Sequence, residues 1–363
     1  MARGGVHRGA NGQLRRCRPR LHGGIQDAVT SRARWTWLLL LGLALACGCA
    51  TRPHGLGRGM AGVALVESND VVHVLLDGRP FTAYHFRNVS RPFLYPLLNA
   101  DGQHLTRRWP QEEGPGEEHD HPHHRSFWYS HGDVNGVDLW SEVEKAGRTV
   151  HQYFVRKESG RDVGVLATRN EWRAKDGKLL GHDERTYRFH RPKGDERVID
   201  FEVTIHASAG DLTLGDTKEG TFAIRVAESM RVKLPKNQPG AGHLVNAQGV
   251  LDGAVWGKRS EWADYSGPVE GKTAGIAILD APTNPRHPTW WHARDYGLFA
   301  ANPFGIHDFE KKEKGAGDLK IPAGGSVTFQ YRVVLHPGDA RSADIAGRFA
   351  EYAREVRATG KAR

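Results

Sequence analysis

The sequence predicts an all-β fold, a large antiparallel β-sandwich closed by one C-terminal helix. Three observations carry this. Ile199, Phe201, Val203 and Ile205 alternate with Asp200, Glu202, Thr204 and His206, and Val327, Phe329, Tyr331, Val333 and Leu335 repeat the pattern. Period-two alternation buries one face of a strand and wets the other, as antiparallel sheets do. Turn residues punctuate the apolar runs: Gly78 parts Val71–Asp77 from Pro80–Phe86, and Asp176-Gly177 parts Val163–Arg173 from Lys178–His190. One helical period appears, over about residues 342–358, where Ile345, Phe349, Tyr352 and Val356 share a face and Ser342 stands in the capping place. Its expected role is to cover a sheet edge or face.

Taken in order, the chain starts with a basic, Gly-rich stretch holding eight Arg and Asp27. A short apolar run follows, Trp35 to Ala46, and then small residues around Cys47 and Cys49. The run is too short for the roughly 20 residues that span a bilayer, and the order reads as a secretion signal. Residues 1–49 are therefore expected to be a leader and 50–363 a single domain. Cys47 or Cys49 stands where a lipoprotein carries its acyl group, so the expected location is the cell envelope through a lipid anchor, with plain secretion as the alternative. The third cysteine, Cys17, is also in the leader. No disulfide, thiolate metal site or cysteine nucleophile is then available beyond residue 49.

The formal charge of +9 is mostly the leader's: eight Arg less Asp27 is +7, leaving +2 for the rest. A basic nucleic-acid surface is not expected. No nucleophile elbow, Walker loop, H-E-x-x-H or dinucleotide fingerprint is present.

Three polar constellations interrupt the strand pattern. The first is His119-Asp120-His121-Pro122-His123-His124-Arg125, with His131, Asp133 and Asn135 close behind. In an extended segment His121 and His123 point one way and His124 the other. Such imidazoles serve as acid and base near neutral pH, or hold a metal with a carboxylate; the plainer alternative is a polar loop. The second is Gly215-Asp216-Thr217-Lys218-Glu219-Gly220-Thr221-Phe222-Ala223-Ile224-Arg225, in which Glu219 is a candidate base; the alternative is a charged hairpin tip. The third is Asn284-Pro285-Arg286-His287-Pro288-Thr289-Trp290-Trp291-His292-Ala293-Arg294-Asp295-Tyr296. Aromatic faces stack on sugar rings while Arg and His bind hydroxyls, although in a strand one of the two Trp must face a core.

These segments, with Arg91-Pro92-Phe93-Leu94-Tyr95-Pro96-Leu97 and His131-Gly132-Asp133-Val134-Asn135-Gly136-Val137-Asp138-Leu139-Trp140, resemble the family named "methane oxygenase PmoA" from about residue 61 to about 338. That family is similar to galactose-mutarotase-like β-supersandwich proteins, which handle carbohydrates with His and Glu in a sheet-lined cleft. The resemblance implies an exported carbohydrate-active protein of epimerase, lyase or hydrolase type. His121, His123, His131 and Glu219 would be catalytic. Arg125, Asp133, Asn135, Lys218, Arg286, His287, Trp290, His292 and Arg294 would bind a carbohydrate or other small polar substrate, with Trp290 stacked on a ring. No cofactor is expected. The family label implies instead a metal-dependent oxygenase, with copper or iron on His121, His123 and His131 or His292; zinc is the other metal such a set could hold. A third expectation is a non-catalytic carbohydrate-binding envelope protein. No run of about 20 apolar residues follows residue 49, so any membrane contact would be through the lipid anchor.

Overall fold

The structure is a computed structural model that describes residues 61–360. The expected leader and acylated cysteine lie outside them. Among the described residues no helix is long and apolar enough to cross a membrane.

Two eight-stranded antiparallel sheets face each other. In spatial order the first holds Val63–Ser68, Val71–Leu76, Arg79–His85, Phe93–Leu94, Phe127–His131, Gly220–Arg225, Leu298–Asn302 and Trp290–Ala293. The second holds His243–Asn246, Trp262–Val269, Lys272–Asp280, Ser326–Pro337, Arg197–His206, Leu179–His190, Val163–Arg173 and Arg148–Glu158. The Asp77-Gly78 and Asp176-Gly177 turns fall where the sequence places them. The alternating residues do what their period requires: Ile199, Phe201, Val203, Ile205, Phe329, Tyr331, Val333 and Leu335 enter one core with Phe127, Tyr129, Phe222, Ile224 and Phe299 of the first sheet. Each such fully buried aliphatic or aromatic side chain is worth roughly 1.5–3 kcal/mol.

Both sheets are also covered outside. The helix Ile345–Gly360 lies over the second sheet, where Ile345 and Tyr352 pack with Ala277, Leu279 and Val334, and Phe349 and Val356 join them. Its helical face is the expected one; its cap is not. Ser342 closes a turn with Asp339. Asp344, one residue before the helix, accepts the Gly347 N–H at 3.2 Å instead, because a cap must precede the first helical residue by one position. The outer face of the first sheet carries a smaller cluster of Phe93, Tyr95, Trp128, Trp140, Ala223, Leu298 and Ala300, with Tyr296 packed against it.

Candidate functional site

Strand register builds this outer face. Phe93 pairs with Trp128, Trp128 with Ala223, Ala223 with Ala300 and Ala300 with His292, one row across five strands. Large rings stand at the ends and two alanines between them, which leaves room above the sheet. Arg225, two residues beyond Ala223, shares their face. The loop 119–126 lies over the row. The rings of His124 and Trp128 stack at 5.3 Å, those of His121 and His124 at 4.7 Å, and His121 lies parallel to Tyr296 at 5.1 Å.

This differs from the extended arrangement expected for the loop. Pro122-His123 is a turn, closed by the His124 N–H donating to the His121 carbonyl at 3.0 Å, and His121 has φ +43°. The turn brings His121 and His124 together rather than apart, with His123 edge-on to both.

Asp120 organises the cluster. Its carboxylate accepts from Arg107, from Arg225 Nη2 at 3.1 Å and from His121 Nδ1 at 2.6 Å. Both guanidiniums are fully buried. Burial works against ionisation of Asp120, but the His121 hydrogen bond and the charges of Arg225 and Arg107 outweigh it and hold the carboxyl far below its usual range. His121 Nδ1 meets Asp120, which leaves Nε2 as the ring nitrogen not engaged by the carboxylate, and the side chain is 39% exposed. Arg225 Nη1 also meets His124 Nδ1 at 3.1 Å, and its guanidinium lies 5.0 Å over the Tyr296 ring.

The other imidazoles are kept neutral. Burial, then Arg91 and His121, lowers His123 to about 4. Burial, then Arg225, takes His124 well below its ordinary value. Burial, then Arg294 and Lys218, lowers His292 to about 3. Burial raises Tyr296, against the pull of Arg225 and Arg294, so its hydroxyl keeps its proton. Glu219 is ion-paired to Lys218, and both are part-exposed. Several buried donors and acceptors here lack a protein partner: His292 Nδ1, Trp128 Nε1, Trp140 Nε1 and Arg225 Nε. Unpaired buried polar groups are costly, and a bound ligand or water would supply the missing partners.

Of the residues expected from sequence, His121, His123, Lys218, Glu219, His292 and Arg294 gather here: the charges of Lys218 and Arg294 act on His292, and those of Arg294 and Glu219 on Tyr296. Others do not. His131 shares the inner face with Phe127 and Tyr129; its Nε2 donates to the Gly215 carbonyl at 2.9 Å and its ring meets Phe304. The sheet separates it from His121 and His123, so these three do not form one ligand set. Asn135 bridges Asp211 and Thr213, and Asp133 accepts the Gly136 N–H, which makes both turn residues. Arg125 is clamped on Glu142. Arg286 donates to the carbonyls of Pro303, Gly317 and Asp318. His287 bonds Asp280, on the second sheet, at 2.7 Å. Trp290 is 4% exposed, covered by Arg259 at 4.3 Å and bonded to Glu310, so no ring face is free for a sugar. Trp291 is the core tryptophan. Sequence reasoning missed the roles of Asp120, Arg107, Arg225 and Tyr296.

A pH dependence follows from two buried imidazoles, one on each face of the first sheet. His131, lowered to about 4 by burial despite its bond to Gly215, and His292 have folded values below the unfolded 6.5. The unfolded chain therefore binds protons first as pH falls, and stability present above 6.5 drains away down to the folded values. Between pH 6.5 and 5 each should cost about 1.5 kcal/mol, read by urea unfolding. His292→Leu should flatten the slope by one imidazole's share; equal stability at pH 7 and pH 5 would contradict the assignment.

A family model described as "Family of unknown function (DUF6807)" matches residues 71–350. No curated protein matches the sequence. Among solved structures the chain is similar to the α-galactosidase from Lactobacillus brevis, at 8% identity over 77% of this chain and 39% of that one, with a TM-score of 0.36. It is also similar to a galactose mutarotase related enzyme from Lactobacillus acidophilus, at 9% identity over 76% of this chain and 97% of that one, TM-score 0.27. An aldose epimerase homologue from C. elegans matches at 9% identity over 77% and 99%, TM-score 0.29. Likeness at this level says nothing about chemistry.

Proposed function

The chain belongs to the family of unknown function DUF6807, whose description supplies no reaction, and we propose that it is an exported carbohydrate-active protein performing acid–base chemistry of the epimerase or lyase type on an acidic sugar. The observation that carries this is the Asp120–His121 pair, which leaves a bare imidazole nitrogen at the rim of a cation-rich site.

His121 Nε2 takes a proton from the carbon beside a sugar carboxylate. Asp120 then balances the imidazolium, as a buried carboxylate does for a histidine base. Arg294 and Lys218 hold the substrate carboxylate and the negative charge that develops on it. Tyr296, which keeps its proton and stacks beside His121, gives that proton to a leaving oxygen on the same face in an elimination; in an epimerisation the carbanion is reprotonated on its other face from solvent. Glu219, expected from sequence as the base, accepts a sugar hydroxyl beside Lys218. Hydrolysis is less well served, since it needs two carboxylates free to act on either side of the bond. Here Asp120 is held by two arginines and Glu219 by Lys218.

The oxygenase reading asks for a metal on His121, His123 and His131 or His292, and His131 lies across the sheet from the others. Export and a lipid anchor rest on the leader's sequence. Nucleic acid is no partner in this reading, since the charge beyond residue 49 is near balance.

The test is incubation with neutral and uronic mono- and oligosaccharides, with NMR detection of epimers and absorbance detection of unsaturated products. The wild type should turn over a uronic substrate, and His121→Gln should bind it without turnover. A sugar bound tightly by both and converted by neither would make this a carbohydrate-binding protein.

A further inference from the structure

The second sheet carries a different cluster on its outer face, on the far side of the core from His121. His182 and Glu184 are two apart on Leu179–His190 and so share a face, opposite the inward Tyr187 and Phe189. His206 ends the neighbouring strand, directly paired with His182. The two imidazoles lie parallel, 4.4 Å apart and 9° from coplanar orientation. One ligand atom from each of His182, Glu184 and His206 lies within 4.8 Å of the other two, and among the described residues this is the one such group of His, Cys, Asp or Glu.

We propose that His182, Glu184 and His206 bind a divalent transition-metal ion of the zinc class. Four features of the cluster argue for it. His206 Nε2 is buried and has no hydrogen-bond partner, which a metal would supply. His182 Nδ1 meets Ser208 Oγ at 2.8 Å, the outer hydrogen bond that fixes a ligating imidazole and leaves Nε2 as its lone pair. Two imidazoles and one carboxylate are a donor set that zinc and its neighbours take, and copper takes more tightly. Finally, Glu184 is 44% exposed, so the ion would keep an open position toward water.

Ligand atoms around tetrahedral zinc stand roughly 3.4 Å apart for bonds of about 2.1 Å, so closure from within 4.8 Å needs side-chain shifts of at most about 1.4 Å. Glu184 is free to swing once it leaves Arg169, to which it is bonded at 3.3 Å. Arg169 is thus a built-in competitor: its guanidinium holds the carboxylate when no ion is bound, and its charge opposes the ion.

The experiment is equilibrium dialysis of the full-length protein against micromolar Zn2+, read by elemental analysis, with thermal melts as a folding control. The wild type should hold about one zinc that is lost in His182→Ala and in His206→Ala and weakened at least tenfold in Glu184→Gln. Arg169→Met should tighten it. His121→Ala and His123→Ala should keep it, since they lie on the other sheet. Should either alanine variant fail to fold, His206→Gln and Arg169→Met give the same two readings. No zinc on the wild type overturns the proposal, and so does zinc that survives the His182→Ala, His206→Ala double substitution or is lost in His121→Ala.

Discussion

Asp120→Asn should lower turnover by about 10²–10⁴-fold while leaving the protein folded. The aspartate touches no substrate; it positions His121. As a carboxylate it accepts the Nδ1 proton at 2.6 Å, keeps Nε2 basic and balances the charge when Nε2 is protonated. An asparagine can turn its amide NH2 toward Nδ1, which favours the wrong tautomer, and it brings no charge. Its carbonyl still accepts from one guanidinium; Arg107 also donates to the backbone carbonyls of Trp109, Asp120 and His121, and Arg225 keeps the charge of Glu228 at 3.8 Å, so neither is left unpaired. The limb of the pH–rate profile set by the base should move with the substitution, which a merely structural role for Asp120 would not produce. Wild-type kcat and pH profile in Asp120→Asn would remove this pair from the mechanism.

Asp183→Ala should cost about 3–5 kcal/mol, lowering the melting temperature by roughly 10 °C. Asp183 and Arg185 face the core of the second sheet with both side chains fully buried, and they meet at 2.7 Å. Asp183 also accepts from Asn170 at 2.6 Å and from Trp172 Nε1 at 2.5 Å, while Arg185 lies 5.6 Å over the Tyr129 ring. Removing the aspartate leaves a buried guanidinium without its counter-charge and two donors without an acceptor. The double substitution Asp183→Leu, Arg185→Met should therefore cost less than Asp183→Ala alone. Chemical unfolding of the three proteins checks the order; a larger loss in the double variant would mean that the pair itself contributes the stability.

Much of the sandwich could be read from the chain because its strands alternate. The 199–205 and 327–335 patterns, the Asp176-Gly177 turn and the amphipathic helix each follow from one local rule. Leu298–Asn302 and Trp290–Ala293 are buried on both faces and show no alternation to read. The site was legible as a His-rich segment, but not in its geometry. The left-handed His121 that folds the loop is invisible to a period-two reading. Arg225 and Tyr296 become neighbours of His121 only through cross-strand register and a loop packed from outside. His131 is the instructive case: Phe127 and Tyr129 are apolar at the same parity, so the sequence already held the signal that His131 faces inward. The His182–His206 pair was passed over because it is formed between strands, where no spacing within one strand reveals it.

The most direct measurement on the catalytic reading is solvent exchange. The wild type and His121→Gln would be incubated in D2O with uronic acids, and the sugars followed by proton NMR. The reading predicts that the wild type either makes an epimer carrying deuterium at the carbon beside the carboxylate or makes an unsaturated product from which that hydrogen is gone, and that His121→Gln makes neither. An epimer that keeps its original hydrogen at that carbon, or either product persisting in His121→Gln, would contradict it.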